Sequence, residues 1–252
     1  MKKYDVVRGF GWKLPAAMLI YLLTLVYPVY DSVFDPGGNG LALYLYVNSV
    51  SFGSWLLPLF ACLPFASSYV LDRKSGFQRT AVLKYGTHRY IRSKVLVAIF
   101  SGGLALAGGL ILFWLLLAAN GQVMTADETL IEYRFLWDIL KLDGSGGLLY
   151  IGMLYLSFLH GAFWSVAALA FSTLCMDAFL TICFPVFCQQ FIIQLTGMLD
   201  LPRFLNLGQL GRGTSPYSYA VYLPIATIVF GGLSAIAIRL FKKGFERRLP
   251  NA

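Results

Sequence analysis

The chain has 252 residues, 58% of them hydrophobic and only 13% charged, with a formal net charge of +8 and a mean hydropathy of +0.69. A soluble domain carries roughly 25% charged residues, so the deficit excludes an ordinary globular enzyme and points to a polytopic membrane protein. The basic excess is read as a topology signal and an attraction to anionic lipid, not as a nucleic-acid-binding surface, because it is confined to one set of loops.

Runs of about 20 apolar residues fall near residues 14–31, 48–70, 95–119, 147–174, 178–198 and 218–240. They predict an all-α fold with six transmembrane helices in one domain over residues 1–252. Both termini are expected on the cytoplasmic side of the cell membrane. Sixteen of the twenty Lys and Arg then lie inside, and only Arg134, Lys141, Arg203 and Arg212 outside. That asymmetry sets the orientation.

Residues 1–13 mix Lys2, Lys3, Arg8 and Lys13 with Val6, Val7, Phe10 and Trp12. The pattern suits a short helix in the inner interface that leads into the first span at Pro15; the alternative is a frayed basic tail. The apolar run is too long for a cleaved leader and no small-x-small site precedes Asp31, so the first span is expected to be retained. An outer turn follows, Asp31 to Gly40. The second span carries Pro58 and Pro64 and should be bent or locally unwound.

Between Asp72 and Lys94 lie seven basic residues, Arg73, Lys74, Arg79, Lys84, Arg89, Arg92 and Lys94, with Asp72 as the only acid. Within this loop Phe77, Ala81 and Tyr85 recur at i, i+4 and i+8, which predicts one short amphipathic helix. Gly86 is expected to stop it in a left-handed cap and Thr87 to cap the next helix. The alternative for the loop is a merely topogenic linker. The third span holds the small-residue pairs Gly103/Ala107 and Ala105/Gly109, which let helices approach closely in lipid.

The outer loop 120–146 contains Thr125-x-x-Glu128, a capping-box pattern ahead of a surface helix. The fourth and fifth spans are joined by a tight inner turn in which Asp177 is expected to cap a helix, with proton relay as the alternative. His160, inside the fourth span, either lines a polar path or makes an interhelical hydrogen bond. Gln189, Gln190 and Gln194 cluster in the fifth span, with Gln190 and Gln194 sharing a face. They serve as helix glue or as contacts along a translocation path. Residues 197–217 are apolar yet broken by Pro202, Gly208, Gly211, Gly213 and Pro216, as in a segment that dips back into the outer leaflet.

Enzymatic signatures are missing. There is no GxxxxGK[ST], HExxH or GxSxG, and no cluster of intramembrane carboxylates. Cys62, Cys175, Cys183 and Cys188 lie in or beside spans without CxxC spacing, so neither a metal site nor a disulfide is expected.

The inner loop resembles that of the type-2 ABC transporter permeases, the class that includes drug, bacteriocin-immunity and polysaccharide exporters. In that family the second span ends in an acid followed by a glycine, then a coupling helix and a basic/Tyr…Lys start to the third span. Here the corresponding residues are Asp72, Gly76 and Phe77, then Arg89, Tyr90 and Lys94; the family's acid is usually Glu. The span count, the N-terminal interfacial helix and the broken segment before the last span are similar too, so the resemblance covers nearly the whole chain. It implies a membrane subunit of an exporter for a hydrophobic or amphipathic substrate, itself no enzyme and without a cofactor. ATP and Mg would sit in a partner P-loop ATPase subunit. That partner would dock on Asp72, Gly76, Phe77, Arg79, Ala81, Lys84 and Tyr85, and a second permease copy, as homodimer or related heterodimer, would complete the path. An ion-coupled secondary carrier and a non-transporting scaffold are the alternatives.

Overall fold

A computed structural model describes residues 2–35, 38–50, 55–122, 147–200, 202, 205–212 and 219–248, all of whose regular elements are helical. In chain order they are α1 (Lys2–Gly9), α2 (Lys13–Val26), a 3-10 turn (Tyr27–Val29), α3 (Tyr30–Val33), α4 (Gly40–Val50), α5 (Leu57–Cys62), α6 (Ser68–Lys74), α7 (Phe77–Tyr85) and α8 (Thr87–Ala119). The second half contributes α9 (Gly147–Phe171), α10 (Ala178–Met198), α11 (Leu207–Arg212) and α12 (Tyr219–Arg248). The Thr125-x-x-Glu128 pattern lies outside the described residues.

Among the described residues five helices are long and apolar enough to cross a membrane: Tyr4–Val33, Thr87–Ala119, Tyr150–Phe171, Ala178–Met198 and Val221–Arg248. The expected span over 48–70 is not one of them. It is divided among the short helices α4, α5 and α6, with turns after Cys62. Pro58 sits in the first turn of α5, where its missing N–H costs nothing, and Pro64 follows the helix end that it enforces.

The axis of the fold is α8, whose 33 residues extend about 50 Å at 1.5 Å per residue. Its partners can be ordered along it. Gly9 approaches Val97, Met18 approaches Gly108 and Tyr21 approaches Gly109, so α1 and α2 run parallel to α8. The chain between them must therefore return. Gly40 lies against Leu117 and Tyr44 against Trp114. Farther along, Ala61 meets Gly102, and Tyr90 hydrogen-bonds Asp72. Residues 40–50 and 55–74 thus pass antiparallel along nearly the whole of α8, as a series of short helices.

The remaining long helices alternate. Tyr150 packs edge-on to Trp114, with ring centroids 4.4 Å apart, and Gly161 meets Gly102, so α9 is antiparallel to α8. Thr173 sits against Gly244 and Tyr155 hydrogen-bonds Thr227 at 3.0 Å, so α12 runs parallel to α9 and antiparallel to α8. One end of the bundle consequently collects α1, the α6–α7 loop, the α9–α10 turn and the tail of α12. We call this the basic end, since it holds all sixteen of the Lys and Arg assigned to the inner side.

Small residues decide the tightest contact. Gly103, Ala105, Ala107 and Gly109 are all buried or nearly so, but the closest approach of backbones is at their neighbour Gly102. A Cβ added at Gly161 would overlap the Gly102 carbonyl oxygen, and one at Gly103 would meet the Phe158 ring. This is the close crossing that small residues permit. Cys62 is buried and its thiol donates to the Trp164 carbonyl at 3.4 Å; all four cysteines are free.

Candidate functional site

The basic end is built around four clustered charges, three of them buried and the fourth, Arg8, half-buried. Lys94 and Asp5 are 0% exposed and Asp72 1%. The Lys94 ammonium lies 2.7 Å from Asp72 Oδ2 and 2.9 Å from Asp5 Oδ1. Arg8 closes the set, 2.7 Å from Asp72 Oδ1. Two cations meet two anions, so the group is neutral. The Ser93 hydroxyl donates to Asp5 at 2.6 Å and the Tyr90 hydroxyl to Asp72 at 2.9 Å. The ammonium also lies over the Phe65 and Tyr90 rings, 5.0 and 5.5 Å from their centroids.

Local structure explains how these residues meet. Asp5 and Arg8 are three apart on α1 and share a face. Tyr90, Ser93 and Lys94 do the same in the first turns of α8. Asp72 is carried on α6. The cluster therefore joins three elements through contacts between residues 18 to 89 positions apart in sequence. Charges at this depth are tolerated only when paired and hydrogen-bonded. Here each carboxylate has both.

The cluster positions α7. Gly76, at φ +73°, lets the chain turn directly from α6 into α7; only glycine takes this left-handed conformation without cost. At the other end Gly86 has φ 80° and ψ 152°. It breaks the chain in an extended mirror-image conformation instead of the expected left-handed cap. Thr87 is correspondingly the first residue of α8 and not its cap, and no side chain caps that end. The helix–break–helix pattern stands, with glycine in the role expected of threonine.

The face of α7 assigned to a partner is largely turned inward. Ala81 is 1% exposed and packs with Tyr90 and Val95 in the core of the basic end. Phe77 is half-buried with its ring 4.8 Å from that of Tyr4, and Gln78 is buried. Tyr85 is half-buried, with the Lys84 ammonium 5.5 Å from its ring. Asp72 belongs to the charge cluster and is inaccessible to a partner. An apolar stripe at i, i+4 and i+8 marks whichever surface the helix covers, and here α7 covers its own protein. Left outward are Arg79, Thr80, Lys84 and Leu83, the last 88% exposed. Arg89 is exposed, whereas Tyr90 and Lys94 are buried.

A second polar locus lies in the middle of the bundle. His160, about 20 Å along α9 by helical rise, is fully buried, and its Nε2 is 2.8 Å from Gln189 Oε1 on α10. Its ring lies 5.6 Å from that of Phe230 on α12. The short helix α11 covers it: a Cβ at Gly211 would stand 2.5 Å from the His160 ring. Tyr222 ties α11 down, donating to the carbonyls of Gln209 and Leu210. Of the predicted path residues, His160 is central, Gln190 is half-buried and Gln194 is exposed. The buried partner is Gln189, which the shared face of Gln190 and Gln194 hid. Asp177 caps α10 by accepting from the Leu180 N–H at 2.8 Å.

Among the described residues no three of His, Cys, Asp and Glu come together as a metal-holding group. Compared with protein-family models, curated proteins and solved structures, the chain matches none. The resemblance drawn from the inner loop therefore stands on that loop's own residues, in a chain whose apolar helices mark a membrane protein.

Proposed function

We propose that this chain is the membrane-spanning permease subunit of an ATP-driven exporter, worked by a separate P-loop ATPase subunit. In this reading the basic end faces the cytoplasm, residues 40–74 form a sixth, broken crossing, and both termini lie inside. The segment around α11 is a re-entrant element in the outer half. A second copy would complete the path for a hydrophobic or amphipathic substrate. The exposed apolar faces of α10 and α12, with Phe187, Phe191, Ile228 and Ile236, meet either that copy or lipid.

The observation that carries the reading is the mounting of α7. It is bounded by glycines, packed through Ala81 and Phe77, and set beside a neutral ionic cluster that ties α1, α6 and α8 together. A force on its outward face is therefore passed to the base of the longest helix instead of being absorbed by a loose loop. The exposed Leu83, rimmed by Arg79 and Lys84, supplies an apolar anchor with a charged margin, the usual layout of a binding hot spot. The test is the double substitution Leu83→Asp/Lys84→Glu in the native membrane. Recovery of a P-loop ATPase and of ATP turnover with the tagged chain should fall at least about tenfold, the scale of one lost hot spot, with an unchanged size-exclusion profile. Undiminished recovery of that ATPase, or a stable wild-type preparation without one, would refute the proposal.

One observation favours a second reading, an ion-coupled carrier. His160 and Gln189 form a polar pair at mid-depth, and the Gln189 Nε2 donor is buried without a partner among the described residues. Intramembrane ionisable groups commonly mark ion paths. Uptake into vesicles driven by a proton gradient in the absence of ATP, and abolished by His160→Ala, would select that reading over the first.

A further inference from the structure

We propose that a cleft at the basic end, between α9, α10 and α12, is a binding site for one anionic phospholipid. The cleft has a volume of about 300 Å³. Its floor is apolar, formed by Ala170, Phe171, Phe184, Ala237 and Leu240, with the rings of Phe171 and Phe184 stacked 3.7 Å apart. Its lip is basic, formed by Lys243 and Arg247. From Arg247 up to Ala237 is about 15 Å of helix, close to the depth of one leaflet of a bilayer whose core is about 30 Å thick. Apolar depth beneath a cationic lip is the layout of a diacyl chain below a phosphate.

The charge pattern of α12 is the second, independent observation. On its neighbouring face Lys242 and Glu246 are an i, i+4 pair of opposite sign, 3.9 Å apart. Over the cleft the next residues along, Lys243 and Arg247, are an i, i+4 pair of like sign. Such a pair opposes helix formation unless an anion lies between them. Both side chains are exposed, and among the described residues neither has an ion-pair partner. The acid of the adjoining turn, Asp177, spends its carboxylate on the Leu180 N–H. Arg248 is directed elsewhere, donating to the Leu174 carbonyl at 2.9 Å, and so fixes the α9–α10 turn beside the cleft.

A lipid seated here would bridge three helices, two of which carry the His160–Gln189 pair. The inference rests on the membrane embedding and on the basic end facing an anionic leaflet; it does not require an ATPase. Its test is native mass spectrometry of the full chain purified in detergent and titrated with phosphatidylglycerol or phosphatidylcholine. The wild type should hold one phosphatidylglycerol in preference to phosphatidylcholine. Lys243→Ala/Arg247→Ala should weaken that binding about 25-fold, at roughly fivefold for each basic residue near the surface. Lys13→Ala/Lys74→Ala removes the same charge away from the cleft and should leave the bound lipid in place.

Equal retention of the two lipids by the wild type would overturn the inference, and this comparison stands even if a variant fails to fold. An equal loss in the Lys13/Lys74 variant would overturn it too, by reducing the effect to diffuse surface charge. Displacement by equimolar glycerol phosphate would overturn the role of the apolar floor. Lipid occupancy is read without a partner protein, so failure of ATPase recovery and failure of lipid binding are separate results.

Discussion

Replacing Lys94 with Met keeps the length and apolar contacts of the side chain and removes its charge. In the wild type the Lys94 ammonium answers Asp5 and Asp72 at 2.9 and 2.7 Å, while Arg8 reaches Asp72 alone. The variant therefore leaves two buried carboxylates with one cation, and Asp5 keeps only the Ser93 hydroxyl. Stranding one member of a buried pair costs about 3–5 kcal/mol. The protein has a cheaper escape than global unfolding, because α1 is a short terminal helix and can carry Asp5 back into water. The expected outcome is thus undocking of α1, its docked population falling by about two to four orders of magnitude relative to the free form. Hydrogen exchange of residues 2–12 in detergent or nanodiscs should accelerate accordingly, while that of α9 stays near wild type. Adding Asp5→Asn to Lys94→Met restores neutrality, and the double variant should recover most of the protection. Wild-type exchange in the single variant, or a double variant worse than the sum of the two singles, would refute the idea that charge balance holds α1 in place.

Two other variants probe the helix crossings. Gly161→Val should destabilise the fold by about 1–3 kcal/mol, the usual cost of overpacking, because its Cβ has no room beside the Gly102 carbonyl; thermal unfolding in detergent reads this directly, and an unchanged midpoint would deny the close crossing. Gln189→Leu should cost about 1 kcal/mol through loss of the His160 hydrogen bond, whereas Gln194→Leu should leave the midpoint unchanged, since that side chain is exposed.

Helical class, the positions of the long spans and the helix–break–helix loop follow from local rules. A 20-residue apolar run can satisfy its backbone in lipid only as a helix, and two closely spaced prolines interrupt it because each removes an N–H from the ladder. Pro58 and Pro64 announced a damaged second span for the same reason. The loop stripe of Phe77, Ala81 and Tyr85 announced an amphipathic helix equally well. Periodicity reports that a face is covered, however, and not what covers it. Only the approach of α1 and α8 shows that Phe77 and Ala81 face their own protein and that Leu83 is the side chain left outward.

The charge cluster is beyond any local pattern. Asp5 reads as one acid in a basic tail, and Lys94 as one more topogenic cation, until a chain reversal through residues 40–74 brings them together across 89 positions. Asp5 and Arg8 on one turn, with Tyr90, Ser93 and Lys94 on another, were the available hint of two polar faces awaiting partners. Pairing depends on distance in space, and a buried charge is tolerated only after the partner arrives. Gln189 teaches the same lesson on a smaller scale. Three neighbouring glutamines are equivalent by composition, and the rotation of α10 against His160 selects one of them, because a helix buries a given side chain by its angle to a neighbour and not by its chemistry alone.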